Sequence, residues 1–403
     1  MIRLAEFLRF NARWLGTGTL LVFLSSFGQT FFISIFAGAI REDFALSHGE
    51  WGGLYALATT ASAAVMVFAG GLTDQLRVRV LGPLVILGLA VAALMMSQVT
   101  VVWALGVTVF LLRLFGQGLM SHTAMVAIAR WFTATRGKAV GITGLGFALG
   151  EALLPITFVA LLGVTAWRNL WIGAAVVLLI LAPVVFVLMR QERTPQSFAA
   201  SEGNTGMGGR NWTRANVLRS PVFWLMIPAV MGPAAWNTSF FFHQVHLAEV
   251  KGWSHAALVG MFPLFTVTGV VFLQIAGWMV DKFGSARLMP FYLLPSAAGF
   301  VVFALAATPL QGALGMLLMG ASVGMNATMS STLWAEAFGT RHIGSIRAMM
   351  AAVMVLGSAI GPGLTGALID AGLDYAQQGW GVAAYFLGAS VLAGVAARAL
   401  TRE

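Results

Sequence analysis

The sequence has few charged residues and no cysteine. Charged residues make up 9% of its 403 positions, and apolar residues make up 59%. A soluble domain carries about 25% charged residues. A soluble fold could not keep so much apolar surface away from water, so lipid must be the solvent for much of the chain. The lack of cysteine excludes disulfides, thiolate chemistry and cysteine-ligated metals.

Other absences narrow the function further. The sequence has no phosphate-binding Gly-x-x-x-x-Gly-Lys loop, which argues against ATP-driven transport. His243 and His246 are three positions apart but lack a carboxylate at metal-ligand spacing. We therefore expect no metal, no cofactor and no enzymatic activity. The net charge of +9 comes from basic residues scattered through short gaps between apolar runs. This scatter does not favour a nucleic-acid partner.

Long apolar runs fill the chain, and a membrane-spanning helix needs about 20 mainly apolar residues. The first run is too long for the core of a signal peptide. The runs predict an all-α integral membrane protein with twelve transmembrane helices, near 14–39, 50–71, 79–98, 101–128, 137–162, 168–189, 220–247, 256–279, 287–307, 311–335, 343–369 and 378–398.

Arginine and lysine are concentrated in alternate gaps between these spans. The positive-inside rule then places both termini in the cytoplasm, and we expect a bacterial inner membrane. The polar stretch 191–219 separates two predicted domains, 1–190 and 220–403. Its centre, 201–210, is rich in Gly, Ser and Asn and predicts a flexible linker. Its basic end, 211–219, is expected to lie along the inner membrane surface.

The two halves look like repeats of each other. Asp281 follows the eighth span as Asp74 follows the second, 207 positions earlier. The same offset relates Ser47 to Ser254, His48 to His255, Gly53 to Gly260, Thr59 to Thr266, Gly150 to Gly357, and Pro155 to Pro362. Ser47 and Ser254 stand at helix starts, where serine is a preferred cap. Repeats of six spans are typical of secondary transporters.

The segments around these two aspartates carry a family resemblance. GGLTDQLRVR, from Gly70, and GWMVDKFGSAR, from Gly277, resemble the signature of the major facilitator superfamily. The first copy departs from that signature at Gln75, Arg77 and Val78. The resemblance covers the whole chain and implies two six-helix bundles around one central site. It also implies a latch that stabilises one access state, formed by Gly70, Asp74, Gly277, Asp281 and Arg287.

Two charged residues lie near the middle of predicted spans, whereas the others lie close to span ends. Arg113 is in the middle of the fourth span, where a charge is costly and marks a functional candidate. Its segment, FLLRLFGQG, resembles a family motif linked to proton coupling. The alternative is a structural arginine satisfied by backbone carbonyls. Glu151 in the fifth span is a candidate proton carrier, one partner of a fixed salt bridge, or both. Both residues lie at similar depth on adjacent antiparallel helices, which predicts that they pair in at least one access state.

Further polar residues lie in the spans that line the cavity of this family. Each could contact substrate or bridge two helices. These candidates are Gln29, Gln117, Trp236, Asn237, Gln274 and Asn326. The loops ARWFTATRGKAVGI and FGTRHIGSIR resemble monocarboxylate porters and oxalate/formate-type exchangers. Members that bind carboxylates often place an arginine in the eighth span, where this chain has Gln274. Arg347 is the nearest basic alternative.

These features predict a secondary active transporter that works by alternating access with proton coupling. The expected cargo is a small organic solute, with a monocarboxylate or related anion as first choice. The expected partners are substrate, protons and the lipid bilayer, and the chain is expected to be a monomer. One alternative is an exporter of drugs or hydrophobic compounds by proton antiport, suggested by glycines in the fifth span. Another is a transporter-like sensor that binds without translocating.

Overall fold

The computed structural model describes residues 4–132, 135–190, 206–339 and 341–401. The chain divides into two compact units. Unit 1 contains Met1–Leu46 and Leu54–Ala200, and unit 2 contains Ser47–Gly53 and Ser201–Glu403. The first half of the predicted flexible linker, 201–205, lies outside the described residues, as do Met1 and Glu403, and its second half contains a 3₁₀ turn, Met207–Gly209.

Unit 1 is helical, as the apolar runs predict. Its first span packs against its fifth, and its third packs against its sixth. Gly150 in the fifth span lies against Ser26 in the first. The helices, the fourth of which begins in unit 2, are α1 Leu4–Leu24, α2 Thr30–Ile33, α3 Ala37–Phe44, α4 His48–Ala69, α5 Leu72–Gln75, α6 Val78–Gln98, α7 Val102–Leu112, α8 Ser121–Trp131, α9 Arg136–Leu162 and α10 Trp167–Leu188.

Unit 2 repeats this packing. The seventh span packs against the eleventh, and the ninth against the twelfth. Gly357 lies against Met231 in the seventh span, and it is 207 positions after Gly150. The helices are α11 Arg214–Leu218, α12 Pro221–Phe242, α13 Gln244–Lys251, α14 His255–Val259, α15 Phe262–Phe283, α16 Ser285–Leu288, α17 Leu294–Leu305, α18 Pro309–Phe338, α19 Ile343–Asp370 and α20 Tyr375–Thr401.

Nine helices of the described chain are long and apolar enough to cross a membrane, and a bent pair, Ala5–Gly28 with Thr30–Phe44, raises the number to ten. The two remaining predicted spans correspond to α12 and α17. Helix α12 has 22 residues and contains Pro228 and Pro233 within its length. Helix α17 is a shorter apolar helix, preceded by turns at 289–293.

Both predicted serine caps are confirmed. The Ser47 hydroxyl accepts a hydrogen bond from the Glu50 amide at 3.0 Å, and the Glu50 carboxylate accepts one from the Ser47 amide at 2.8 Å. This reciprocal pair is a capping box. The Ser254 hydroxyl accepts from the Ala257 amide at 3.1 Å. Each serine therefore satisfies an amide at a helix start that has no partner within its helix.

The basic segment before the seventh span is ordered against unit 2. The Trp212 amide donates to the Phe338 carbonyl at 3.3 Å, and the two rings lie 5.3 Å apart. Thr213 caps the short helix α11, whose Val217 is buried. The predicted position along the membrane surface stays a prediction.

Candidate functional site

The first span is broken near its middle. Helix α1 ends at Leu24, a 3₁₀ turn covers Ser25–Gly28, and Gln29 has an extended backbone (φ −87°, ψ 155°) before α2 begins. The two parts of the span bend by 47°. A break of this kind leaves carbonyls without their helical partners, and in a membrane such groups must find a partner inside the protein.

Arg113 supplies a partner at the break. Its Nη1 donates to the Gly28 carbonyl at 3.2 Å and to the Thr30 hydroxyl oxygen at 3.3 Å. The two spans approach closely here, since a Cβ added at Gly28 would lie 2.7 Å from the Cα of Gly116. Arg113 begins a π-helical stretch, Arg113–Met120, and such stretches occur frequently at functional sites. The backbone-satisfying role considered from sequence is therefore present.

Tyr55 completes this cluster, and the sequence reasoning missed it. Its hydroxyl lies 2.6 Å from the Thr30 hydroxyl. The Cζ of Arg113 lies 5.3 Å from the centroid of the Tyr55 ring, within the range of a cation–π interaction. Tyr55 is one of only four tyrosines in the chain. This scarcity and its position in a span were the available signals.

Part of the Arg113 guanidinium makes no hydrogen bond to the described residues. The residue is only 1% exposed. Its Nε and Nη2 are buried and make no hydrogen bond to the residues that the structure describes. A buried donor without a partner costs about 1–3 kcal/mol, and more when it is charged. Nε and Nη2 form one edge of the guanidinium, and an arginine uses two parallel N–H groups to bind a carboxylate. The cluster can therefore accept an anion.

Glu151 is 7% exposed in α9. The hydrogen bonds of Arg113 go to Gly28 and Thr30, and none goes to Glu151. The predicted pairing of Arg113 with Glu151 is not formed in this structure and stays a prediction for another access state. The preceding residue, Gly150, lies against Ser26 in the 3₁₀ turn of the first span. The helix that carries Glu151 therefore packs against the first span near the break.

Unit 2 contains a second polar group at the matching place. The indole Nε1 of Trp236 and the Oδ1 of Asn237 are buried and have no hydrogen-bond partner among the described residues. Trp236 lies 207 positions after Gln29, and Asn237 lies 207 positions after Thr30. Because buried polar atoms are normally paired, these two atoms are good candidates for ligand contacts.

The other predicted substrate contacts are spread more widely. Gln29 is buried at the break, and Gln117 is half-buried in the π-helical stretch. Asn326 is half-buried in α18, whereas Gln274 and Arg347 are exposed. Of these candidates, Gln29 lies in the first span next to the carbonyl that Arg113 binds, and Gln117 lies in the same π-helical stretch as Arg113.

The predicted latch segments differ between the two copies. The Arg130 Nη1 donates to the Thr73 carbonyl at 2.7 Å, which holds the turn after Gly70 to the fourth span. The side chain of Asp74 lies outside the described residues. In the second copy, Asp281 and Arg287 are exposed. The latch role stays a prediction.

Asp370 has a contact that the sequence reasoning did not foresee. Its two carboxylate oxygens accept from the His48 amide at 3.1 Å and the Gly49 amide at 2.8 Å. Within unit 2 this carboxylate therefore binds the start of α4, where the helix dipole favours negative charge. The His48 ring lies 4.5 Å from the ring of His246. The residues involved are about 320 positions apart in sequence, which is why sequence pattern alone could not bring them together.

Comparisons with known proteins agree with this architecture. Residues 18–362 match the family model of the Major Facilitator Superfamily. The probable transporter SCO4007 of Streptomyces coelicolor is 28% identical over 125 residues, which cover 30% of this chain and 28% of that protein.

Two solved structures share the fold. A bacterial homologue of the human lysosomal transporter Spinster, in an inward-facing and unoccupied conformation, has a TM-score of 0.74 at 15% identity over 97% of this chain and 98% of that chain. The nucleoside transporter NupG has a TM-score of 0.70 at 14% identity over 96% of this chain and 99% of that chain. The likeness to these structures shows the fold. With the family model covering most of the sequence, the chain belongs to the Major Facilitator Superfamily, as an all-α multi-pass membrane protein of the transporter type.

Proposed function

We propose that this chain is a secondary active transporter for a small organic anion, with a monocarboxylate as first choice, and that it works by alternating access with proton coupling. The carrying observation is the buried guanidinium of Arg113, whose Nε and Nη2 have no hydrogen-bond partner among the described residues. A carboxylate would fill that edge with paired bonds and neutralise the charge.

The surroundings of Arg113 support an anion over a cation. Arg113 forms no ion pair within the described part of the chain, and its two acceptors, Gly28 and Thr30, are neutral. A buried charge without a counter-ion is strongly unfavourable, so an incoming carboxylate would relieve a cost that an apolar ligand leaves in place. The two loops that resemble monocarboxylate porters point to the same substrate class.

Proton coupling is supported by Glu151. An ionisable residue inside a membrane span marks a proton relay or an ion pathway by default. Glu151 is buried in α9, the helix that packs against the broken first span. Substrate binding at Arg113, on the fourth span, and a change of charge at Glu151, on the fifth span, would then both act on the broken first span. An Arg113–Glu151 contact formed in another state would link the two events directly.

Ligand binding to the purified protein tests the substrate class. We expect short monocarboxylates to raise the thermal midpoint and the matching neutral amides to leave it nearly unchanged. Arg113→Gln should abolish the response to carboxylates. Arg113→Lys keeps the charge but loses the planar fork, so it should bind about 10-fold or more weaker. The control is Arg168→Gln, because Arg168 lies in a half-exposed ion pair with Asp43.

The anion proposal fails if an apolar drug or an organic cation binds better than every carboxylate, or if Arg113→Gln binds carboxylates normally. Flux into proteoliposomes separates a transporter from a sensor that binds without translocation. Dependence of that flux on a pH gradient separates coupled transport from facilitated diffusion.

The proposed location is a bacterial inner membrane with both termini in the cytoplasm, as the basic residues predict. The natural lack of cysteine makes single-cysteine labelling simple. Val164→Cys, in the predicted outer loop, should react with an impermeant thiol reagent on intact cells. Arg341→Cys, in a predicted inner loop, should react only after permeabilisation. The reverse pattern would contradict the topology.

A further inference from the structure

A groove in unit 2 is lined by Arg287 of the predicted latch but by none of the candidate substrate contacts described above. It has a volume of ≈ 540 Å³ and runs between the start of the ninth span, at Ala286–Leu294, and the twelfth span, at Leu387–Arg398. Both walls belong to helices of the same unit. The substrate site proposed above does not include this groove. Its lining is mainly apolar with two arginines, whereas the cluster at Arg113 is polar.

One end of the groove is basic. Arg287 and Arg398 are the charged residues among those that line it, and both are exposed. Each lies in the last turn of its helix, α16 and α20 respectively. Both helices therefore present a cation at the same end of the groove. An anionic group that entered here would meet two guanidinium groups, which bind phosphate oxygens well.

The rest of the groove is apolar and open. Phe291 is 61% exposed and Val391 is 67% exposed, and the lining continues through Pro290, Leu294, Leu387 and Val395. On a membrane-spanning segment, exposed apolar side chains face hydrocarbon. The groove therefore joins a basic mouth to an apolar wall that faces acyl chains.

We propose that this groove binds an anionic phospholipid. The phosphate would lie between Arg287 and Arg398, and an acyl chain would run along Phe291 and Val391. A basic pocket between transmembrane helices is suited to anionic lipid headgroups. The apolar wall favours a lipid over a soluble phosphate, because a soluble anion would leave that wall uncovered. This inference is independent of the substrate proposed above.

Native mass spectrometry of the purified full chain tests the proposal. Phosphatidylglycerol should bind more tightly than phosphatidylcholine of the same chain length. Arg287→Gln with Arg398→Gln should weaken phosphatidylglycerol binding on the order of 30-fold and leave phosphatidylcholine binding little changed. Arg341→Gln, which removes an exposed arginine outside the groove, is the matched control and should bind normally.

A second variant keeps the charges and fills the groove. Val391→Trp should displace the lipid at least as strongly as the double arginine change. Equal binding of the two lipids by the native protein overturns the proposal. Normal phosphatidylglycerol binding by both the double variant and Val391→Trp overturns it as well. Displacement of the lipid by glycerol phosphate at similar concentration would mean that the occupant is a soluble anion. Gel filtration of each variant checks that it remains folded.

Discussion

Arg113 in unit 1 and Gly320 in unit 2 occupy matching positions of the repeat, 207 residues apart. Around Arg113 the fourth span turns π-helical and its side chain reaches the break in the first span. At Gly320 the tenth span stays α-helical within α18, and an added Cβ would lie 2.3 Å from the Phe265 carbonyl oxygen. One copy thus holds a buried charge, and the other copy holds close helix packing.

Two other residues of unit 1, Tyr55 and Glu151, are also replaced by less polar or uncharged residues at the matching positions of unit 2. Tyr55 in unit 1 matches Phe262 in unit 2, and both are fully buried. Glu151 matches Ser358, whose hydroxyl bonds to the Val355 carbonyl of its own helix. The repeat therefore keeps the shape of the scaffold, while the two charged residues of unit 1, Arg113 and Glu151, have uncharged counterparts in unit 2.

The largest expected effect comes from the charge difference at Glu151. Glu151→Gln removes the proposed proton carrier, so solute accumulation driven by a pH gradient should fall to the equilibrium level. Binding of substrate should change much less. The measurement is uptake into proteoliposomes with and without an imposed pH gradient. Ser358→Ala is the matched control from unit 2 and should accumulate normally. Gradient-driven accumulation by Glu151→Gln would end the assignment of the proton to this residue.

The packing difference at Gly320 gives the next effect. Gly320→Ala forces α15 and α18 apart, which should cost about 1–3 kcal/mol and lower the thermal midpoint. Gly277→Ala lies on the same helix pair, but no atom is within 4 Å of the added Cβ. This control should be neutral or slightly stabilising, because alanine favours a helix over glycine. An unchanged thermal midpoint for Gly320→Ala would contradict the prediction, because it would mean that α15 and α18 can move apart without loss of stability.

Tyr55→Phe makes unit 1 resemble unit 2 at one atom. The change removes the hydroxyl that meets Thr30, and it should cost about 1 kcal/mol. Thr30→Val removes the other partner. In a double-mutant cycle the two effects should be less than additive, because the groups share one hydrogen bond. Strict additivity in thermal unfolding would show that the 2.6 Å contact contributes little.

The smallest expected effect is at Asp370. Asp370→Asn keeps one acceptor oxygen but replaces the other with an NH₂ group, so it loses one of the two bonds from the His48 and Gly49 amides and the negative charge at the start of α4. The expected loss is about 0.5–1 kcal/mol. Hydrogen exchange at the amides of Ser47–Gly53 should become faster. Glu249→Gln, which changes an exposed carboxylate elsewhere in unit 2, should leave that exchange unchanged.

The sequence by itself determined the membrane class, the helices and the repeat. The length of an apolar run predicts a spanning helix because the bilayer core has a fixed thickness, and this signal identifies α12 despite its two internal prolines. The caps at Ser47 and Ser254 were also readable, because a cap and its amide are three positions apart in sequence. Arg113 was also identifiable from local sequence, because burying a charge in an apolar span costs free energy whichever way the side chain is directed.

Only the tertiary structure decided what that charge touches. The break at Gly28, the hydroxyl of Tyr55 and the close approach of Gly116 come from different spans, and no local pattern relates them. Equal depth along two helices predicts that Arg113 and Glu151 meet, but depth leaves the rotation of each helix open. Helix packing fixes that rotation, and here it directs Arg113 to the broken first span. Asp370 meets the start of α4 for the same reason: side-chain partners between distant spans are set by packing.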